Sequence, residues 1–370
     1  MNVSTGVLPG QTLSALIQQE VIKASTPFET GQIQPASLDL RLGSKAWRIQ
    51  ASFLPGAESM VTDKIDKFAL HELDLTKGAV LEKGCVYLVE LQESLNLPDT
   101  LGGMANPKSS TGRLDVFTRL ITDYACEFEI INKGYSGPLY AEISPRTFSV
   151  LVRTGSRLSQ VRLRSGSKII DDDELIVLQR EFGLVRSEGN ISVSALINDG
   201  IGLSVNLQSE SQNDIIGWRA RKHAGLIDVD KVGRLDKLRF WEAVTTTDLV
   251  GGGLVLNPDE FYILASREFV CVPENFAAEM RPYDTRVGEF RAHYAGFFDP
   301  GFGFGSVDVG KTRAVLEVRS HDVPFLVEQD QIVCRLVYEP MSETPKSLYG
   351  AMQSVSNYQS QGLKLAKHFK

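Results

Sequence analysis

Residues 80–98 read VLEKGCVYLVELQESLNLP, and residues 255–273 read VLNPDEFYILASREFVCVP. Val80, Leu81, Tyr87 and Pro98 of the first stretch recur as Val255, Leu256, Tyr262 and Pro273, at a single offset (255 − 80 = 175). An acidic residue follows each proline, Asp99 and Glu274. At the same offset Tyr140-Ala141-Glu142-Ile143 meets Val315-Leu316-Glu317-Val318. One such match arises by chance. A series at one spacing marks a duplicated unit, so the chain is expected to fold as two similar halves, about 1–170 and 190–370.

Outward from these stretches the chain reads mostly as strand. Ser37-Leu38-Asp39-Leu40-Arg41-Leu42 alternates polar and apolar with period two, which predicts a half-buried strand. Val86-Tyr87-Leu88-Val89 and Leu120-Ile121 are apolar and strand-like. Gly and Pro punctuate at short intervals, and long helical patterns are scarce. Thr12–Lys23 is the clear exception: Leu13, Leu16, Ile17 and Val21 share one helical face, and Thr12 is the expected cap. The pattern predicts an all-β sandwich or barrel rather than alternating α/β. Between the halves, Asp171-Asp172-Asp173-Glu174 reads as a solvated turn, and 207–247 as a polar insertion beside the second strand set.

Composition narrows the function classes. Of 370 residues, 42% are hydrophobic and 23% charged, an ordinary globular balance. Thirty-nine Lys and Arg against 46 Asp and Glu leave a charge of −7. Neither nucleic acid nor an anionic membrane is therefore an expected partner, though a local basic pocket can still take a small anion. Cys85, Cys126, Cys271 and Cys334 show no CxxC spacing and read as buried, reduced thiols of a cytoplasmic protein. The N-terminal MNVSTGVLPGQTLSALIQQEV lacks a basic segment followed by an apolar core, and no apolar run approaches the ~18 residues of a membrane helix. The five histidines show no HxE or HxxxH spacing, which disfavours a zinc hydrolase.

Three features could carry chemistry. Lys108-Ser109-Ser110-Thr111-Gly112-Arg113 gathers hydroxyls, a glycine and two cations, either a phosphate-holding turn or a hydroxyl-rich helix cap. Phe298-Asp299-Pro300-Gly301-Phe302-Gly303 is a tight-turn signal, either a plain hairpin or an Asp presented at a sheet edge. Glu142 and Glu317 each stand inside an apolar run. Desolvation there raises a carboxyl pKa and suits it to proton transfer; taken alone, an outward-facing strand position is the better reading of the pattern.

Taken in order, these elements resemble the dCTP deaminase family of the dUTPase-like superfamily, in a fused two-copy form. The resemblance rests on Pro35–Gly43, Lys108–Leu114, Asn132-Lys133-Gly134-Tyr135-Ser136-Gly137 and the Glu142 strand in the first half. In the second it rests on Arg286-Val287-Gly288, Ala295, Asp299-Pro300-Gly301-Phe302, Glu317 and Tyr338-Glu339-Pro340. Asn357-Tyr358-Gln359-Ser360-Gln361-Gly362 is similar to the family's lid segment. The likeness is weak over about 170–250.

The resemblance implies two tandem distorted, jelly-roll-like β-barrels with a few short helices. It implies hydrolysis of dCTP to dUTP and ammonia, feeding thymidylate synthesis. By it, Ser109, Ser110 and Arg113 hold the phosphates and support the site, Asp299 meets the deoxyribose, and the strand Glu shuttles protons. A backbone carbonyl near Ala295 places the water. Mg²⁺ accompanies the triphosphate, no protein side chain binds a metal, and no zinc is used. A homo-oligomer, with a trimer favoured, and dTTP as an inhibitor complete the family picture.

Neither half carries the full set. The first has Asn132 where the Asp is expected, after a longer loop (DYACEFEII); the second has Pro282-Tyr283-Asp284-Thr285-Arg286 where the serines are expected. The halves are complementary. The expected site is therefore composite, with Lys108, Ser109, Ser110 and Arg113 from one half and Asp299 and Glu317 from the other. Arg286 with Glu142 would form a degenerate counterpart. Tyr349, Tyr358 and Gln361 are expected substrate contacts, and with Asn357 where the family favours Lys, Lys364 or Lys367 is the expected substitute. A dUTP diphosphatase or bifunctional enzyme, a non-catalytic nucleotide sensor and a purely structural protein remain as alternatives.

Overall fold

The computed structural model describes residues 4–166, 169–187, 195–208, 214–281, 291–293 (backbone only), 296–304, 312–320, 322–350 and 362–370. The chain is mainly β: among these residues the strands are arranged in six sheets, with a few short helices.

The duplication is visible strand by strand. Strand Val86–Asn96 pairs antiparallel with Leu42–Ile49 and Ser136–Pro145, and the last pairs with Val116–Thr122. In the second half Phe261–Val270 pairs with Ile215–Ala220 and Arg313–Arg319, and the last pairs with Arg291–His293. Registers match too: Glu142 lies opposite Leu88 and Glu317 opposite Ile263, so the 175-residue offset holds across this strand pair. A second sheet joins Ser159–Ser165, Leu101–Pro107 and Ile130–Ile131; its counterpart joins Ile332–Pro340, Phe276–Arg281 and Phe297–Phe298.

Several expectations shift. The first helix runs Gly10–Gln18, shorter than 12–23, and Pro9 rather than Thr12 occupies its cap position. Thr12 instead hydrogen-bonds Glu343, and Glu20, with φ of 57°, turns the chain into strand Ile22–Ala24. The 37–42 run splits into Leu38–Leu40 and Leu42–Ile49, with both faces buried at the join. Its polar residues do not face water: Asp39 pairs with Lys108, and Arg41 Nε donates to Glu93 Oε1 at 2.8 Å.

The acidic run at 171–174 caps a helix, Asp172–Phe182, with Asp171 Oδ1 accepting from Glu174 N at 2.8 Å. Strand Val185–Arg186 then joins Phe261–Val270 as Ile22–Ala24 joins Val86–Asn96, so the second half's elements begin ahead of 190. Nor is 207–247 an insertion. Its strands Ile215–Ala220 and Trp241–Thr245 repeat the pairing of Leu42–Ile49 with Ala69–Asp74. The polar composition hides this because the outer strand is partly exposed. Of the cysteines, all free, Cys271 and Cys334 are buried, while Cys126 is exposed, against expectation.

The halves share a core. Phe148 packs edge-on against Trp241 at 5.5 Å, Trp241 packs against Phe369 at 5.9 Å, and Leu365 and Ala366 join the same first-half cluster. Ile227–Asp228 pairs parallel with Val150–Val152 of the first half. Full burial of each large apolar side chain contributes roughly 2–3 kcal/mol, so this seam is a stable joint.

Candidate active site

A cleft of about 120 Å³ opens on the seam between the halves. Its first-half wall is Pro107, Lys108, Ser109, Ser110, Arg113 and Gln160; its second-half wall includes Phe298, Asp299, Val315, Glu317 and Tyr349. The complementary sets expected from sequence thus lie in one cavity.

The first-half wall is a short helical turn, Ser109–Gly112, held between Pro107 and a buried Leu114. Lys108 N donates to Leu158 O at 2.9 Å, which ties the turn to the neighbouring strand. Past the turn, Asp115 adopts a φ of 56° and accepts Thr147 Oγ1 at 2.5 Å. It also pairs with Arg319 of the second half. That ion pair locks the Arg113 turn to the strand that carries Glu317.

Strand Arg313–Arg319 is buried on both faces, which is why it reads as apolar. Ala314, Leu316 and Val318 enter the second-half core, while Val315 and Glu317 face the cavity. Glu317 is 4% exposed, and burial pushes its carboxyl up to about 8. Arg113 Nε, at 3.7 Å from Glu317 Oε1, pulls the other way without overcoming desolvation. At neutral pH Glu317 is therefore largely a protonated acid beside a cation, able to give and take a proton.

Asp299 ends strand Phe297–Phe298 at the Asp-Pro-Gly turn, where Gly301 has a φ of 97° and Phe302 N donates to Asp299 O at 3.1 Å. Gly303 is equally constrained: a Cβ there would lie 2.0 Å from Val270 O. Register identifies the first-half counterpart of Asp299. Phe298 lies opposite Ala278 and Ile131 opposite Gly103, which makes Asn132 the matching residue. The offset here falls to 167 (299 − 132), so the preceding first-half loop is longer by 175 − 167 = 8 residues.

Glu142 lies elsewhere. It is buried and engaged by Arg119, whose Nε is 3.2 Å from Oε1 and whose guanidinium stacks 3.6 Å from the Phe128 ring. Ala295, Arg286, Tyr358 and Gln361 lie outside the described residues. Tyr349 lines the cleft, its ring 5.5 Å from Phe302. Of the two tail lysines, Lys367 lines the cleft, while Lys364 contributes its carbonyl, which accepts Arg113 Nη1 at 2.9 Å.

Sequence reasoning missed two members. Arg162 Nη2 donates to Asp299 Oδ1 at 3.1 Å from within strand Ser159–Ser165. Asp39 anchors Lys108 from behind. A signal existed for both: a charged residue in a strand with both neighbours apolar.

The comparisons agree with this architecture. A family model described as the 2'-deoxycytidine 5'-triphosphate deaminase N-terminal domain matches residues 4–167, and one for the C-terminal domain of the same family matches 171–369. A relative from Beutenbergia cavernae named "dCTP deaminase, dUMP-forming" is 27% identical over 139 residues, 37% of this chain and 69% of its own. A "dCTP deaminase" from Haloarcula marismortui is 29% identical over 133 residues, 35% of this chain and 65% of its own. The crystal structure of 2'-deoxycytidine 5'-triphosphate deaminase from Agrobacterium tumefaciens superposes with a TM-score of 0.86 and 52% identity, covering 91% of this chain and 99% of that one. The chain belongs, in a two-domain form, to the 2'-deoxycytidine 5'-triphosphate deaminase family.

Proposed function

We propose that this chain hydrolyses dCTP to dUTP and ammonia in a composite site between its halves. The observation that carries the reading is the buried Glu317 carboxyl, raised to about 8, beside Arg113 in a cleft that also holds Lys108, Ser109, Ser110 and Asp299. The substrate is the Mg²⁺ complex of the triphosphate. Its phosphates lie against the Lys108–Arg113 turn with Lys367 in reach, and its sugar lies against Asp299.

Protonated Glu317 first gives its proton to N3 of cytosine, which makes C4 electrophilic. The resulting carboxylate takes a proton from water as the water oxygen bonds to C4. Glu317 then protonates the amino group, the C4–N bond breaks, and the hydroxyl proton returns to Glu317 as C4=O forms. The acid ends as it began, and only water is consumed. Arg113 holds the transient carboxylate, and the fixed dipoles of a closed site replace the water lost from it.

We also propose that each half is a dUTPase-like distorted barrel, that the chain works as a cytoplasmic homo-oligomer, a trimer being favoured, and that dTTP inhibits it. A second reading, deamination followed by loss of diphosphate, is favoured by relatives named "dUMP-forming". Incubation with dCTP and Mg²⁺ in the presence of a zinc-selective chelator separates these. Product dUTP supports the first reading and dUMP the second. No product, with a nucleotide-dependent rise in melting temperature, would instead support a sensor.

A further inference from the structure

Arg162 is 1% exposed, and its side chain sends three hydrogen bonds across the seam. Nη1 donates to Ala278 O at 3.0 Å, and Nη2 to Phe298 O at 3.3 Å and Asp299 Oδ1 at 3.1 Å. Its guanidinium lies 4.1 Å from the Phe297 ring. These partners are the two strands that present the Asp299 turn.

The pseudo-equivalent site lacks both members of this pair. Arg162 lies opposite Met104 and Val337 opposite Glu279, at the same offset, so Val337 stands where Arg162 stands. Asn132 stands where Asp299 stands. Guanidinium and carboxylate occur together on one side and are missing together on the other, so the two belong to one device.

We propose that Arg162 is a positioning residue that fixes Asp299 as an acceptor-only carboxylate turned toward a sugar hydroxyl, and so sets selectivity for nucleotides that carry that hydroxyl; this rests on the deaminase reading above. An ionised Asp accepts through both oxygens, whereas a neutral one donates through one of them. Arg162 occupies Oδ1 and leaves Oδ2 for the ligand. Burial pushes the Asp299 carboxyl up, and Arg162 pulls it back. The other charges near it are Lys108 and Asp39, which pair with each other. Arg113, Glu317 and Lys367 line the rest of the cleft, and Glu279 lies within reach of Arg162. Among the described residues Arg162 is the hydrogen-bond and ion-pair partner of this carboxylate.

The test compares Arg162→Gln and Arg162→Lys with the unsubstituted chain, each in a Glu317→Gln background that blocks turnover. Calorimetry measures binding of dCTP and of 2',3'-dideoxycytidine triphosphate from about pH 6 to about pH 8.5. Arg162→Gln should weaken dCTP binding about tenfold at the acid end, the size of one lost charge-assisted hydrogen bond. The loss should fade as pH rises and Asp299 ionises, and the dideoxy analogue should be unaffected. Arg162→Lys should restore most of the affinity. Equal losses for both nucleotides at every pH, or no loss, overturn the proposal.

A nucleotide-free readout separates this from the deaminase reading. Carbon NMR of labelled aspartate, with Asp299 assigned by its absence in Asp299→Asn, should show its titration moving up in Arg162→Gln. An unmoved titration overturns the proposal even if dCTP is turned over. Failure of the unsubstituted chain to bind dCTP overturns the deaminase reading, and the titration still decides Arg162.

Discussion

Arg164 Nη1 donates to Glu339 Oε2 at 3.1 Å, and the two residues occupy matching positions of matching strands, 175 residues apart. Arg164 lies opposite Gly102 and Glu339 opposite Ala277, so the register is the same. Equivalent strands of the two halves therefore meet around an approximate twofold axis. In two identical copies this contact would set like charges against each other. Here an Arg faces a Glu, and the duplication has diverged into two unlike walls.

Glu317→Gln should abolish deamination, a loss of at least about 10²–10⁴-fold, while dCTP binding persists. In the unsubstituted enzyme kcat/KM should fall as pH rises through about 8, because in the proposed mechanism the acid form of Glu317 starts the reaction. Stability shows the same titration. The folded carboxyl keeps its proton between its ordinary range and about 8 while the unfolded one has lost it, so stability falls as pH rises through that window. Urea titrations should find Glu317→Gln more stable than the parent at the alkaline end and similar at the acid end. A pH-independent difference would contradict the assignment.

Glu142→Gln should leave turnover within about threefold of the parent, because Glu142 is held by Arg119 away from the cleft. It should nonetheless cost about 1–3 kcal/mol of stability by leaving Arg119 with a neutral partner. Steady-state kinetics and denaturant melts check the two halves of this statement. Loss of turnover here, with Glu317→Gln active, would move the proton shuttle to the first half.

Arg319→Met should act on both stability and rate. It removes the ion-pair partner of the buried Asp115 across the seam, and breaking a buried ion pair costs about 3–5 kcal/mol. Because Asp115 fixes the Arg113 turn, the KM for dCTP should rise as well. A fall in melting temperature with an unchanged KM would show that the turn holds its shape without the latch.

His368 provides an acid-side prediction. Burial, and Lys367 beside it, hold its imidazole down to about 4, while Asp228 and Asp230 pull weakly the other way. Its Nε2 lies 2.9 Å from Val229 O. The unfolded chain therefore binds a proton that the folded chain refuses, and stability falls as pH drops from about 6.5 to about 4. His368→Gln should flatten that slope in thermal melts. It should also keep nucleotide affinity at acid pH, since residue 368 anchors the tail that brings Lys367 to the cleft. An unaltered slope would assign the acid sensitivity to other groups.

Much of this was legible in the chain alone. The 175-residue offset announces the duplication because strand length and register cannot drift without turning core residues outward. Lys108–Arg113, the Asp299 turn and Glu317 each carry an ordinary structural reading as well, and it is their order along the chain, through the family resemblance, that singles them out. The incompleteness of each half even implied that they combine. Tertiary structure alone decided what shares the cleft and what stays outside it. Glu142 and Glu317 look alike in sequence, yet one is ion-paired with Arg119 away from the cleft and the other lines it, its carboxyl raised by burial. Arg162, Asp39 and the Asp115–Arg319 latch act across 69 to 204 residues of chain. No local pattern encodes such pairs, because an ion pair is written in two strands that only the fold brings together.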